Sequence, residues 1–189
     1  MIKNNKEGDI MDNFLIGSSS THSEFSWERL GSIDKGRTIL GNEMPVLVYR
    51  LMQFSMFDVL VKDLGVKKAQ KFFRKAGYLA GSEYVKNLID LSLNFDDFIA
   101  ALQNSLIELR IGVLDIETFN ARTGEIILIV SENLDCSDLP VIDETVCYYD
   151  EGFIAGILDT YTSRKYTVRE IDCWASGGRV CRFRAIVEE

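Results

Sequence analysis

Apolar positions recur every three or four residues through much of the chain, which is the pattern of helices that bury one face. Two such stretches run over 45–64 and 66–90. A third follows Asn94 or Asp96, either of which can cap a helix, and a fourth begins at Cys147. The pattern therefore predicts four helices.

Apolar and polar residues alternate in other segments, as in strands with one buried face. Strands are predicted at 112–120 and 125–131, and the unbroken apolar run of the second indicates a central strand. A hairpin is predicted at 166–173 and 179–187, with glycines in the turn between its strands. Helices followed by strand pairs with short turns favour an α+β fold, with helices packed against an antiparallel sheet and a helix and β-hairpin at the end.

The beginning of the chain has a different character. Residues 1–24 are polar apart from one small apolar island, so a flexible tail is expected there and a single domain over 25–189. A short edge strand is expected at 37–40. His22 is the only histidine and lies in the predicted tail, which argues against a nucleophile activated by histidine.

The formal net charge is −8, which argues against nucleic acid as a partner because phosphate binding needs a basic surface. No apolar run reaches the 18 to 20 residues, roughly, that a membrane span requires. A cytoplasmic protein with reduced thiols is expected.

The predicted helix over 45–64 is apolar on nearly all sides. Such a helix is buried on more than one side, so it either runs through the core or forms a subunit interface. A homodimer with this helix or the next one in its interface is expected.

Three cysteines and one glutamate near the end of the chain form a possible set of four metal ligands: Cys147, Glu170, Cys173 and Cys181. A turn centred on residue 177 places Cys173 opposite Cys181, close enough to share a zinc ion or to form a disulfide. The absence of any sign of an oxidising compartment favours metal.

Glu170 is the least certain of these four. Residues three apart in a flat strand point to opposite faces, so Glu170 and Cys173 share a metal only if a bulge intervenes. The same register pairs Glu170 with Arg184, and a cross-strand ion pair is the alternative. Cys136 is interpreted as a structural or surface thiol.

Three short motifs together resemble the 4-vinyl-reductase-type domain family. They are Cys-Tyr-x3-Gly-Phe-x2-Gly from Cys147, Glu-x2-Cys-x3-Gly from Glu170, and Cys-Arg-Phe from Cys181. The family includes the sensory domains of aromatic-responsive transcription activators. In its phenol-sensing members, zinc is held by three cysteines and one glutamate at this spacing, which implies zinc bound by Cys147, Glu170, Cys173 and Cys181.

The resemblance also implies an apolar pocket between the third helix and the central strand. Its predicted lining is Phe98, Leu102, Leu106, Ile126 and Leu128. A module that binds or senses a hydrophobic or aromatic small molecule, with a protein partner for its output, is therefore expected. The alternatives are a reductase or accessory protein acting on a vinyl-bearing tetrapyrrole, and a ligand-independent assembly scaffold. No dinucleotide or phosphate-binding motif supports catalysis, and a zinc with four protein ligands has no open position.

Overall fold

The computed structural model describes residues 25–188, so the predicted tail and His22 lie outside the described part. Contacts separate the chain into two compact units after Gly31. In the first unit, the described residues contain one 3₁₀ turn, Trp27–Leu30. The second unit contains the helices and strands described below.

The second unit has five helices in its described part. They are α1 (Ile33–Gly36), α2 (Val46–Leu64), α3 (Val66–Leu88), α4 (Phe95–Glu108) and α5 (Tyr148–Thr162). Asn94 caps α4, since its side-chain oxygen accepts the N–H of Asp97 at 3.1 Å. The four predicted helices are therefore confirmed, and α1 is an additional single turn.

The edge strand predicted at 37–40 is wrong. Hydrogen bonds close a turn there, because the N–H of Gly41 donates to the carbonyl of Arg37 at 2.9 Å and Arg37 Nε donates to the carbonyl of Gly41 at 2.6 Å. These local bonds take up the backbone groups that a strand would need for pairing.

Four strands form one sheet. They are β1 (Val113–Asn120), β2 (Glu125–Ser131), β3 (Tyr166–Asp172) and β4 (Cys181–Val187). Their order is β1-β2-β4-β3, and every neighbouring pair is antiparallel. The predicted α+β class is therefore confirmed. The predicted central strand, β2, does lie between two neighbours, although alternate residues on one face are only half-buried.

Glycines allow α3 and α5 to pack at very short range. A Cβ atom on Gly77 or Gly81 of α3 would lie 2.0 or 2.1 Å from a carbonyl oxygen of α5. A Cβ on Gly152 or Gly156 of α5 would lie 1.9 or 2.3 Å from a carbonyl oxygen of α3. The two backbones therefore touch at four glycines, which fixes α5 and the residue before it, Cys147.

The core interpretation of the apolar helix is wrong, because none of the 19 residues of α2 is buried. Leu47 is 68% exposed and Leu51 is 62% exposed. The helix is anchored elsewhere by contacts such as the stacking of Phe57 on Tyr148, with ring centroids 5.7 Å apart. No helix between residues 25 and 188 has the length and apolar character needed to cross a membrane.

Candidate metal centre and apolar cavity

A bulge in the terminal hairpin brings Glu170 to the side occupied by Cys173. Asp172 lies opposite Arg182, but Glu170 lies opposite Phe183, and Ile171 is the additional residue. The predicted pairing of Glu170 with Arg184 is therefore wrong, and Arg184 Nε instead donates to Glu125 Oε1 at 2.6 Å. Both Glu170 and Cys173 are buried.

Five donor groups meet next to this bulge. They are Cys136, Cys147, Glu170, Cys173 and Cys181, whose ligand atoms all lie within 4.8 Å of one another. We call these five residues the thiol cluster. Its four cysteines are free thiols with no solvent exposure. Zinc and other soft metals prefer such donors.

The sulfur distances fit a tetrahedral ion in part. Sulfurs that share a tetrahedral zinc, each bonded at about 2.3 Å, lie about 3.8 Å apart. Cys147 Sγ lies 3.8 Å from Cys173 Sγ and 3.8 Å from Cys181 Sγ. Cys136 Sγ is closer to Cys181 Sγ, at 3.0 Å.

Local structure presents each thiol of the hairpin and helix. Cys147 is the residue that precedes α5, and Cys173 begins a short turn in which its side chain accepts the N–H of Ser176. Hydrogen bonds with the thiols of Cys136 and Cys147 lower the pKa of Cys173. Cys173 is therefore the thiol of this group that is set up to carry negative charge.

Glu170 has one satisfied oxygen and one orphaned oxygen. Its Oε2 accepts the backbone N–H groups of Val146 at 3.1 Å and Cys147 at 2.9 Å. Its Oε1 is buried and has no hydrogen-bond partner within residues 25–188. Burial raises the pKa of Glu170 to about 8, although the N–H of Cys147 opposes the shift. A buried unpartnered carboxylate oxygen beside thiols is the group that a bound cation would compensate.

The thiol of Cys136 was not expected in this cluster. It belongs to the irregular segment between β2 and α5, which Asn133 folds by accepting the N–H of Asp135 at its side-chain oxygen, 2.7 Å away. The fold of this segment returns Cys136 to Cys181, which is 45 residues later in the chain. The only sequence signal was that Cys136 lies eleven residues before Cys147.

An apolar cavity of about 40 Å³ lies between α4, the sheet and α5. Its lining residues are Ile99, Leu102, Leu106, Ile111, Gly112, Leu114, Leu128, Val130, Asn133, Asp150, Phe153, Ile154, Ile157 and Leu158. Leu102, Leu106 and Leu128 of the predicted lining are among them. Phe98 instead stacks on Tyr161 with ring centroids 3.7 Å apart, and Ile126 is buried opposite Ala185.

Two polar residues of the lining, Asn133 and Asp150, form a hydrogen bond of 2.8 Å from Asn133 Nδ2 to Asp150 Oδ2. Burial, followed by the charge of Asp135, raises the pKa of Asp150 well above its usual range. Asp135 in turn accepts hydrogen bonds from Tyr49 and Gln53 of α2, each at 2.7 Å. The segment that carries Cys136 therefore connects the cavity to α2.

Comparisons with known sequences give one family match and several relatives. The family model of the 4-vinyl-reductase domain matches residues 126–187. Two uncharacterised proteins of Methanocaldococcus jannaschii are similar along most of their length. One is 24% identical over 150 residues, which are 79% of this chain and 80% of that protein. The other is 27% identical over 144 residues, 76% of this chain and 78% of that protein.

Three solved structures share the fold. The phenol-responsive sensory domain of the transcription activator PoxR, solved with phenol, has a TM-score of 0.60 at 16% identity, over 76% of this chain and 75% of that chain. A vinyl-4-reductase family protein of M. jannaschii has a TM-score of 0.57 at 15% identity, over 92% and 100%. Subunit 3 of the trafficking protein particle complex of Naegleria fowleri, covalently bound to palmitic acid, has a TM-score of 0.60 at 17% identity, over 76% and 95%.

The residues that match the family model include the hairpin, α5 and all four cysteines, and the motifs that carried the resemblance lie among them. The chain therefore contains a 4-vinyl-reductase domain over residues 126–187.

Proposed function

We propose that this protein is a binding or sensor module for a hydrophobic small molecule, with a structural zinc ion in the thiol cluster. The apolar cavity between α4, the sheet and α5 is the observation that carries this proposal. Enclosed apolar cavities with a few polar groups at one side are typical of small-molecule sites.

The zinc would be held by Cys147, Cys173 and Cys181 together with one further donor. Glu170 is the fourth ligand that the family resemblance implies, and its orphaned Oε1 supports that role. Zinc with four protein ligands has no open position, so its contribution is to stabilise the fold. In this role it joins the start of α5 to both strands of the hairpin.

The ligand is expected to be apolar. The proteins of similar fold include one solved with phenol and one bound to palmitic acid, so the fold accommodates both aromatic and aliphatic molecules. A cavity of about 40 Å³ is small for either, since an engineered cavity of about 150 Å³ is needed for benzene. Binding would therefore enlarge the cavity by moving the side chains that line it.

Such a movement has a route to the surface. Asp150 and Asn133 lie at the cavity, and Asn133 also holds the segment that Asp135 attaches to α2. A ligand that displaces α5 would change these bonds and thereby the position of α2. The exposed apolar side chains of α2 are suited to a second subunit or another protein partner. The same surface favours a ligand-independent assembly role as the second candidate function.

The test is thermal unfolding of the zinc-loaded protein with a panel of apolar ligands. A substituted benzene or a fatty acid that binds should stabilise the protein by about 2.7 kcal/mol at a hundredfold its dissociation constant. Reduced nicotinamide nucleotides should have no effect. Leu102→Phe, which fills the cavity, should abolish the response, whereas Ile126→Val removes a buried methyl group outside the lining and should retain it.

Two results would contradict the proposal. One is the absence of a shift with every apolar ligand in the wild-type protein. The other is an equal loss of response in Leu102→Phe and Ile126→Val. Either result would favour the scaffold function, and zinc content would be unaffected in both cases.

A further inference from the structure

The thiol cluster contains five donor groups, whereas a structural zinc ion takes four ligands. Cys147, Cys173 and Cys181 each belong to the start of α5 or to the hairpin, and two of their sulfur distances match a tetrahedral edge. The choice for the fourth position therefore lies between Glu170 and Cys136.

Glu170 already has a structural task that needs no metal. Its Oε2 holds the N–H groups of Val146 and Cys147, and its own N–H donates to Glu151 Oε1 at 2.9 Å. These bonds fix the backbone on which the Cys147 thiol is carried. Only its orphaned Oε1 favours direct metal binding.

Cys136 is held in the cluster by bonds on both sides of it. Arg50 of α2 donates to the carbonyl of Leu134 at 2.9 Å and to the carbonyl of Ser137 at 3.0 Å. The carbonyl of Cys136 accepts the N–H of Leu139 at 3.1 Å. The segment thus holds a completely buried thiol 3.0 Å from Cys181 Sγ, the shortest sulfur distance in the thiol cluster that the structure gives.

We propose that Cys136 is the fourth zinc ligand of this chain and that Glu170 acts from outside the coordination shell as a positioning residue for Cys147. The inference rests on the proposed zinc site. Zinc prefers thiolate to carboxylate, and sets of four cysteines are common in structural sites, which decides between two donors that are equally close. The metal then joins three parts of the fold: the segment after β2, the start of α5 and the hairpin.

The experiment is zinc K-edge X-ray absorption on the intact purified protein, preceded by measurement of its metal content. Four sulfur ligands in the wild-type protein are expected, and three sulfurs with one oxygen would overturn the proposal. This measurement needs no variant, so it decides the matter even if a substitution prevents folding. A protein that takes up neither zinc nor cobalt would overturn the zinc site itself, and the metal content shows this before any sulfur is counted.

Two variants distinguish the roles of the competing residues. Cys136→Ser should lose one sulfur from the shell, lower the cobalt thiolate charge-transfer absorbance by about a quarter and weaken zinc binding by more than tenfold. Glu170→Gln keeps an oxygen that accepts the N–H groups of Val146 and Cys147, and should retain four sulfurs. Retention of all metal-binding properties in Cys136→Ser, together with loss of metal in Glu170→Gln, would assign the fourth bond to Glu170.

Discussion

At the scale of single residues, Asp150 shows how burial changes the chemistry of a side chain. Its carboxylate lines the cavity, accepts one hydrogen bond from Asn133 and lies near the charge of Asp135. Burial raises its pKa, so the folded protein binds this proton more tightly than the unfolded chain does. Stability should therefore fall as the pH rises above the usual Asp pKa of about 3.9 toward the raised value.

Asp150→Asn should remove this dependence. The amide is neutral at all pH values and still offers an oxygen to Asn133, so the variant should be more stable than the wild type at pH 8. The difference should shrink as the pH falls toward about 4, near the usual Asp pKa. Chemical unfolding across this pH range measures the effect, and an unchanged difference at every pH would contradict it.

Asp90→Asn is the matched control with the opposite sign. Asp90 is exposed, and hydrogen bonds from Ser92 lower its pKa. Its stabilising effect is present above the usual Asp pKa and is lost as the pH falls through the lowered value. The control variant should therefore be no more stable than the wild type at pH 8.

The metal centre gives a second prediction at this scale. Cys173→Ser should lose bound zinc and much of the stability of the protein, since metal binding free energy at a structural site is also folding free energy. Elemental analysis and thermal unfolding of the purified variant test this. Full zinc content in Cys173→Ser would remove Cys173 from the ligand set.

The sequence predicted parts of this site for identifiable reasons. The thiols of Cys147, Cys173 and Cys181 belong to regular elements with recognisable periods, so their meeting could be inferred. The bulge at Ile171 changes the register by one residue without a glycine or proline to indicate it. Cys136 lies in an irregular segment whose path depends on side-chain bonds from Asn133 and Arg50, and such bonds have no sequence period.

At the scale of elements, the helix and strand bounds followed from the apolar pattern, whereas the contact between α3 and α5 did not. Gly152 and Gly156 weaken the intrinsic preference of α5 for a helix. The structure shows what they provide, because each lies against a backbone carbonyl of α3 with no room for a side chain. Glycines four apart are too common in sequences for this contact to be assigned without the fold.

Gly152→Ala should destabilise the protein by about 3 kcal/mol or more. The new Cβ would lie 1.9 Å from the carbonyl oxygen of Arg74, so α3 and α5 would have to separate, and overpacking of a tight contact costs about 1–3 kcal/mol and sometimes more. Denaturant unfolding provides the measurement. Gly36→Ala is the control, because nothing lies within 4 Å of its Cβ position and the change should be neutral or slightly stabilising. Equal effects of the two substitutions would show that the crossing is not tight.

At the scale of the whole molecule, the exposed surface of α2 is the main feature that the described fold does not explain. The apolar pattern of this helix is the same whether a core or another subunit covers it, so the sequence could not decide between them. At 1.5 Å per residue, its 19 residues extend over about 28 Å. A second copy of the helix packed along this length would bury apolar side chains on both subunits with the symmetry usual for dimers.

The last prediction is therefore a homodimer that depends on α2. Leu51→Glu introduces a charge among the exposed apolar side chains of α2, and burying that charge in a subunit interface is strongly unfavourable. Analytical ultracentrifugation at micromolar concentration should show a dimer for the wild type and a monomer for Leu51→Glu. Ile39→Glu makes the same change at a side chain that is 93% exposed and lies outside α2, so this control should remain dimeric. A monomeric wild type, or dissociation by both substitutions, would show that α2 is not the interface of a dimer.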